Sequence, residues 1–272
     1  MGFLFIDEIT AIDADRARGR LRRGAGDQPL PPWLVIEAVG QLAAWIAMLR
    51  SDFTRRPVAA LVGEIRVNDR QARGDIELEA QIERLDARAI LYAGAARNAG
   101  NEFVALSRCV GPLLPMELFD DPAAVRERFA ALRSGTLGAS PPAVDIVEPC
   151  LSPIELRPGS AAGRLDVPDA APFFADHFPR RPVYPASLLA DALSRLGAPL
   201  AAQQLHVEPG SMRVARLSDY KVRNFSPPGQ RLELTAEPRG MRDGAVAIAV
   251  CAGAEGKRVA TGVLEYRPVA RL

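Results

Sequence analysis

The amino-acid sequence contains the same pattern twice, and this duplication limits the possible folds more than any other feature. Each copy opens with GRL, once in ARGRLRR and once in AAGRLDV, and then reaches a proline at a predicted helix start. A carboxylate lies six residues beyond each proline, since Glu37 follows Pro31 and Asp191 follows Pro185. Because several features recur in the same order, the chain is interpreted as a duplicated supersecondary unit.

Each copy continues through a long apolar segment into several strands. We predict helices at 33–49 and 187–201, which are apolar nearly all round, as is typical of buried helices. The segments that follow alternate apolar and polar residues, which indicates a sheet with one buried face. Gly74 and Gly229 occupy matching turns in the two copies. The predicted fold is α+β, with two repeats in which an antiparallel sheet wraps a long buried helix.

A polar segment separates the two copies. It is typical of a surface helix, which Asp120 or Asp121 can cap, with Pro122 in its first turn and Gly135 at its end. The sequence GTLGASPPAV then indicates a linker. We therefore divide the chain into a first repeat at 1–115, a connecting helix and linker at 116–142, and a second repeat at 143–272.

The composition argues against several function classes. A net charge of +1 provides no overall attraction to nucleic acid or to a membrane surface. The apolar stretches fall short of the ~20 residues of a transmembrane helix, and the N-terminus lacks the basic region of a signal peptide. The 3 cysteines lie far apart and form no zinc-binding pattern. We expect a cytoplasmic protein with reduced thiols at Cys109, Cys150 and Cys251.

The second copy contains a motif around one of the 2 histidines of the chain. Residues 177–186 read HFPRRPVYPA, and Asp191 lies fourteen residues after the histidine. This arrangement resembles the β-hydroxyacyl-(acyl carrier protein) dehydratases of fatty acid synthesis, which have the hotdog fold and a motif of roughly H-F-P-G-x-P-x-x-P-G. Arg180 and Ala186 stand where that family has glycines. The first copy resembles the family in a carboxylate followed four residues later by glutamine, at Glu37 and Gln41.

The resemblance implies loss of water from a (3R)-hydroxyacyl thioester to give a trans-2-enoyl thioester. His177 suits the base that removes the C2 proton, because the ordinary pKa of histidine is about 6.5. A buried carboxyl can deliver a proton to the departing hydroxyl, and a backbone N–H at a helix start can stabilise the thioester oxygen. The resemblance assigns that N–H to Ala186, and to Val183 a carbonyl that faces the other imidazole nitrogen. Further implied substrate contacts are Gln41, Phe178 and Pro182.

The two copies differ at the histidine. The segment that corresponds to FFADHFPRRP is missing from the first copy. Pro32 there matches Ala186 and has no N–H to donate. In the family, histidine and carboxylate come from two protomers, so the fused copies imply one active site per chain, formed by the histidine and Glu37. Asp191 would be a remnant of a second, silent site, and Arg195 is placed to pair with it at helical spacing.

The resemblance also implies the partners. The substrate would be carried on the phosphopantetheine arm of acyl carrier protein or on coenzyme A, and no metal, redox cofactor, nucleic acid or membrane is implied. The chain could be a monomer, as a pseudo-dimer, or a homodimer. Candidate contacts with the carrier protein are arginines on one strand face or near the motif, namely Arg16, Arg18, Arg20, Arg22, Arg180, Arg181, Arg213 and Arg216.

Two other functions stay open at this point. A hotdog thioesterase would use a carboxylate to activate water and would not need the histidine loop. The third possibility is a non-catalytic acyl-binding or partner subunit, in which Arg180 and Ala186 in place of glycines would indicate that activity has been lost. The presence of both His177 and Glu37 favours the dehydratase.

Overall fold

The computed structural model describes residues 3–23, 30–68, 74–136 and 151–269. Cys150, the end of the expected linker and the expected start of the second repeat lie outside the described residues. The first copy comprises β1 (Glu8–Ile12), β2 (Arg16–Leu21), α1 (Pro32–Arg50), β3 (Arg55–Pro57), β4 (Leu61–Val67), β5 (Ile76–Leu85), β6 (Ala89–Asn98) and β7 (Asn101–Pro115). The connecting segment comprises a 3-10 turn (Met116–Leu118) and α2 (Pro122–Ser134).

The second copy repeats this plan with one additional turn ahead of its helix. Its elements are β8 (Glu155–Arg157), β9 (Ser160–Asp166), a 3-10 turn (Pro172–Ala175), α3 (Ala186–Leu205), a 3-10 turn (Pro209–Ser211), β10 (Met212–Val222), β11 (Arg231–Arg242), β12 (Ala245–Ala254) and β13 (Lys257–Pro268).

The strands form one continuous antiparallel sheet in which both copies have the same strand order. The first copy is ordered β1-β2-β5-β6-β7-β4 and the second β8-β9-β11-β12-β13-β10. The copies join where β4 pairs with β10, with Ile65 opposite Leu217. Gly74 and Gly229 precede β5 and β11 with φ angles of +75° and +74°, a region that glycine adopts without steric cost. The duplication inferred from sequence is therefore also a duplication of topology.

The helix α1 is buried within the protein. It is long and apolar enough to cross a membrane, contrary to the sequence-based expectation that no segment reaches that length. Within the most apolar window of this helix, however, 67% of the residues are buried inside the protein. Its buried side chains include Val35, Val39, Leu42 and Ile46, which lie in the same core as the inner faces of β2, β5 and β6. We therefore identify α1 as a core helix.

The helix α3 is longer than the sequence indicated. The expected end at 201 is too early, because α3 runs through Pro199 to Leu205. A proline inside a helix removes one N–H and crowds the preceding turn. Its neighbours Leu196 and Leu200 are fully buried, so packing against the sheet holds this segment helical.

The connecting segment is only partly a surface element. The cap is Asp121, whose side chain accepts a hydrogen bond from the Ala123 N–H at 2.8 Å, and Gly135 ends α2 with a φ angle of +65°. The expected capping signals are thus present, and the helix begins at Pro122. Ahead of it, Met116 and Phe119 are fully buried, so this part is packed into the protein instead of lying on its surface.

Replacing Gly197 by alanine is expected to destabilise the fold. A methyl group there would lie 2.5 Å from the hydroxyl oxygen of Tyr266, which is fully buried and donates to Ser194 O at 2.7 Å. Overpacking of this kind costs about 1–3 kcal/mol, although alanine is the better helix former. Urea unfolding would measure the loss. Gly210→Ala is the control, because no described heavy atom lies within 4 Å of its added methyl, and equal stability of Gly197→Ala and wild type would contradict the prediction.

Candidate active site

His177 lies in a loop whose backbone is held on both sides. Its N–H donates to Phe173 O at 2.8 Å, which ties it to the preceding 3-10 turn. The Val183 N–H donates to His177 O at 3.1 Å, and imidazole Nδ1 lies 3.0 Å from Val183 O. Because a carbonyl oxygen can only accept, Nδ1 carries the proton in this contact and Nε2 is left free to accept one.

The surroundings of the imidazole favour its neutral form. Burial lowers the pKa of His177, because the imidazolium is poorly solvated in this position. A negative charge on Glu37 would act in the opposite direction, as does the hydrogen bond with Val183, and the positive charge of Arg56 lowers the pKa further. Burial is the largest of these effects. A neutral imidazole is the form that can act as a base near neutral pH.

Glu37 on α1 connects the two copies. Its Oε2 accepts a hydrogen bond from Ser187 Oγ on α3 at 2.8 Å, and its Oε1 accepts one from Gln41 Nε2 at 3.2 Å. Gln41 is itself held, because Nε2 also donates to Phe3 O at 2.8 Å and Oε1 accepts from the Phe5 N–H at 2.9 Å. Sequence reasoning missed Ser187, since no local pattern shows that its hydroxyl faces the other repeat.

The first turn of α3 offers an unused backbone donor. Ala186 is the first residue of this helix, and its N–H makes no hydrogen bond to any residue that the structure describes. The Tyr220 hydroxyl donates to Ala186 O at 2.9 Å and fixes the same peptide segment. N–H groups at a helix start carry partial positive charge. In α1 the first residue is Pro32, which has no N–H, so the two helix starts are not equivalent.

A cavity of about 180 Å³ joins these groups. His177, Glu37 and Ala186 line it, together with the predicted contacts Gln41, Phe178 and Val183. From Glu37 it follows α1 to Met48, which spans about 16 Å along the helix axis. Other lining residues on α1 are Trp33, Ile36, Gly40, Ala44 and Trp45. Along α3 the described lining residues run only from Ala186 to Ala190, so the cavity extends farther along α1 than along α3.

Asp191 and Pro182 lie outside the cavity lining. Asp191 Oδ2 accepts from Arg195 Nε at 3.0 Å, an i,i+4 ion pair on α3. Pro182 lies in the turn between His177 and α3 and does not line the cavity, whereas its neighbour Val183 does. Of the two candidate carboxylates, Glu37 and Asp191, Glu37 is therefore the one that lines the cavity with His177.

Two candidate carrier-protein contacts, Arg213 and Arg216, are not among the described residues that line the cavity. The strand β10 contributes Tyr220 and Val222, near its end, to the cavity lining. Arg216 lies opposite Arg66 on β4, and its neighbour Leu217 lies opposite the lining residue Ile65. A contact of these two arginines with a carrier protein stays a prediction.

The connecting segment supports the histidine loop, a role that the sequence did not reveal. The Phe119 and Phe178 rings meet edge to face at 5.0 Å. The Arg180 N–H donates to Phe119 O at 3.0 Å, its Nη1 donates to Glu117 O at 3.2 Å, and its Nη2 lies 3.5 Å from Asp121. Arg180, where the resemblance expects glycine, thus ties the loop to the segment that joins the two copies.

Comparison with known proteins identifies relatives of this chain. Residues 152–262 match a family described as a FabA-like domain. The 3-hydroxyacyl-(acyl-carrier-protein) dehydratase FabZ of Ruminiclostridium cellulolyticum is 33% identical over 115 residues, which are 42% of this chain and 80% of that protein. The FabZ of Roseiflexus sp. is 34% identical over 115 residues, with the same coverage. The chain belongs to this dehydratase family.

A further relative matches a shorter segment of the chain. The FabZ of Herpetosiphon aurantiacus is 32% identical over 90 residues, and the chain spans 64% of that dehydratase's length. The family match lies in the second copy, which carries the histidine loop.

Solved structures show that the whole chain has the double hotdog fold. A Lactobacillus plantarum protein described as an oleoyl thioesterase superposes with a TM-score of 0.62 at 11% identity, over 94% of this chain and 97% of that one. The 12:0-ACP thioesterase from Umbellularia californica gives a TM-score of 0.52 at 14% identity, over 93% of this chain and 94% of that one. At such identities the likeness shows the fold alone. The dehydratase-family chain is thus a hotdog-fold enzyme with two fused copies.

Proposed function

We propose that this protein removes water from (3R)-hydroxyacyl thioesters carried on acyl carrier protein and releases trans-2-enoyl thioesters. The observation that carries the proposal is the meeting of His177, Glu37 and the unused Ala186 N–H on one cavity. Membership of the dehydratase family supports it independently. The first copy offers no matching donor at Pro32, so we propose one active site per chain.

The proposed reaction moves two protons. Nε2 of His177 accepts the C2 proton, the C2–H electron pair forms the C2–C3 double bond, and the C3–O bond breaks. Glu37 delivers a proton to the departing hydroxyl group, which leaves as water. No ion pair within 4.0 Å involves Glu37 in the part of the chain that is described, so its carboxyl is not committed to a cation. The steps need neither a metal nor a redox cofactor.

The Ala186 N–H would stabilise the thioester oxygen as negative charge develops there. Such a donor acts best where it is already in place and poorly solvated. At the start of α3 the helix dipole adds to its effect. The apolar lining along α1 would hold the acyl chain, with the reacting carbons beside His177 and Glu37. Carrier protein is proposed as the donor, and coenzyme A thioesters and a cytoplasmic location remain predictions.

The test is direct product analysis. Purified protein is expected to convert a (3R)-hydroxyacyl carrier thioester to the enoyl thioester, followed by enoyl absorbance and mass spectrometry. Exposed His206, which ends α3, offers a matched control: His206→Gln should retain the activity. Release of free thiol without enoyl product would instead identify a thioesterase, the activity of several proteins that share the fold. Binding without turnover would indicate a non-catalytic subunit.

A further inference from the structure

Arg56 is a charged residue of the cavity that the proposed reaction does not use. It lies on β3, the short strand that pairs with β7, opposite Leu114. Its side chain lines the same cavity as His177 and Glu37. Within residues 3–23, 30–68, 74–136 and 151–269, no hydrogen bond and no ion pair within 4.0 Å involves its guanidinium group. The close contact of the half-buried Arg56 guanidinium is therefore with an aromatic ring.

That ring belongs to Phe178, the residue after the histidine. The guanidinium carbon of Arg56 lies 4.2 Å from the centre of the ring, within the range of a cation–π interaction. The same ring stacks on the imidazole of His177, with centroids 4.2 Å apart and planes inclined by 21°. Phe178 thus links the guanidinium to the imidazole, and a shift of Arg56 would be transmitted to the orientation of the proposed base.

The charge of Arg56 also acts on the imidazole. Burial lowers the pKa of Arg56 to about 10, and the largest opposing influence is the negative charge of Asp120, so the guanidinium is charged at neutral pH. Arg128 lies 3.6 Å from Asp120 and 3.7 Å from Asp176, so carboxylates in contact offset its charge. The charged and titratable groups that line the cavity with the imidazole are Glu37, Arg56, Tyr92, Arg128, Asp176, Tyr184 and Tyr220.

We propose that Arg56 is a positioning residue for His177: its guanidinium holds the Phe178 ring against the imidazole, and its positive charge favours the neutral imidazole. This inference rests on the proposed role of His177 as the base. Its effect on the imidazole is nevertheless measurable without substrate, which separates the two proposals experimentally.

The experiment is an NMR titration of the imidazole groups in the full-length protein. The chain has 2 histidines, so a His206→Gln variant assigns both signals. Removing a neighbouring positive charge stabilises the imidazolium, so Arg56→Met should raise the pKa of His177 by about one unit. The acidic limb of kcat/KM should move to higher pH by the same amount. Arg56→Lys keeps the charge and should keep the low pKa, but should lower kcat because the planar stack is lost.

The matched control is Arg126→Met. The guanidinium carbon of Arg126, on α2, lies 5.5 Å from the Phe53 ring centre, and the group also pairs with Asp52 at 3.1 Å. Neither Arg126 nor Phe53 is among the described lining residues, so the substitution removes a similar ring contact away from the site. It should leave the His177 titration unchanged. Arg56→Gln is a second neutral variant with the same expectation as Arg56→Met, in case the latter does not fold.

Each outcome decides the inference. An unchanged His177 titration in both neutral variants would overturn it, as would a shift in Arg56→Lys equal to that in Arg56→Met. If the wild type forms no enoyl product but the titration shifts as expected, the proposed function fails and the influence of Arg56 on the imidazole stands. If the wild type is active and the titration does not shift, the role of Arg56 alone is rejected.

Discussion

His177→Ala should lower kcat for enoyl thioester formation by about a hundredfold to ten-thousandfold, the usual contribution of a general base. Glu37→Gln should cause a loss of similar size, because an amide keeps the shape and the contact with Ser187 but cannot deliver a proton. Single-turnover kinetics with an acyl carrier thioester would measure both. The imidazole accepts one proton and the carboxyl donates another in the same reaction, so each loss should be large by itself.

Asp191→Asn supplies the matched comparison, since Asp191 is the other carboxylate that the sequence marks. It lies outside the cavity lining and is paired with Arg195 at 3.0 Å. The variant should therefore keep a kcat close to that of the wild type. The one-site proposal is wrong if Asp191→Asn abolishes activity while Glu37→Gln retains it.

Ala186→Pro is expected to lower kcat by about a hundredfold to a thousandfold, the usual effect of losing one oxyanion donor. Proline at the first helical position removes the N–H without breaking the helix. Pro185 before it already has a ψ angle of +134°, which is the conformation that a following proline requires. The first residue of α1 is a proline, so the chain already tolerates this arrangement at the matching helix start.

The measurement is kcat together with circular dichroism and a thermal unfolding midpoint. Ala186→Gly is the control, because it retains the N–H and introduces the residue that the related motif has there. Its activity should stay near that of the wild type. An Ala186→Pro variant that is folded and fully active would show that the thioester oxygen does not depend on this N–H.

Local features of the fold were predictable because their causes are local. The helix expected at 33–49 is observed at Pro32–Arg50, since its run of apolar residues is typical of a buried helix and Pro31 immediately precedes it. The side chain of Asp121 caps α2, Pro122 is its first residue, and Gly135 ends it. These effects follow from the residues themselves and their immediate neighbours. The end of α3 was misjudged because tertiary packing overrides the helix-breaking tendency of Pro199.

The candidate site was predictable only in part. The motif and its spacing selected His177, Val183 and Ala186, because these residues lie within ten positions of one another. Arg56 and Phe119 had no such signal. Each reaches the histidine loop through Phe178, a contact that depends on how β3 and the connecting segment pack against the second copy.

The sequence by itself determined that the chain is duplicated, that the histidine loop occurs once, and that one helix start has an N–H where the other has proline. The resemblance also predicted that Glu37 and not Asp191 lies with His177. The tertiary structure alone decided that Ser187 holds Glu37 across the two copies and that the cavity follows α1. The physical reason is separation along the chain. Ser187 and Glu37 are 150 residues apart, and a contact over that distance follows from packing of the whole sheet and leaves no periodic pattern in either segment.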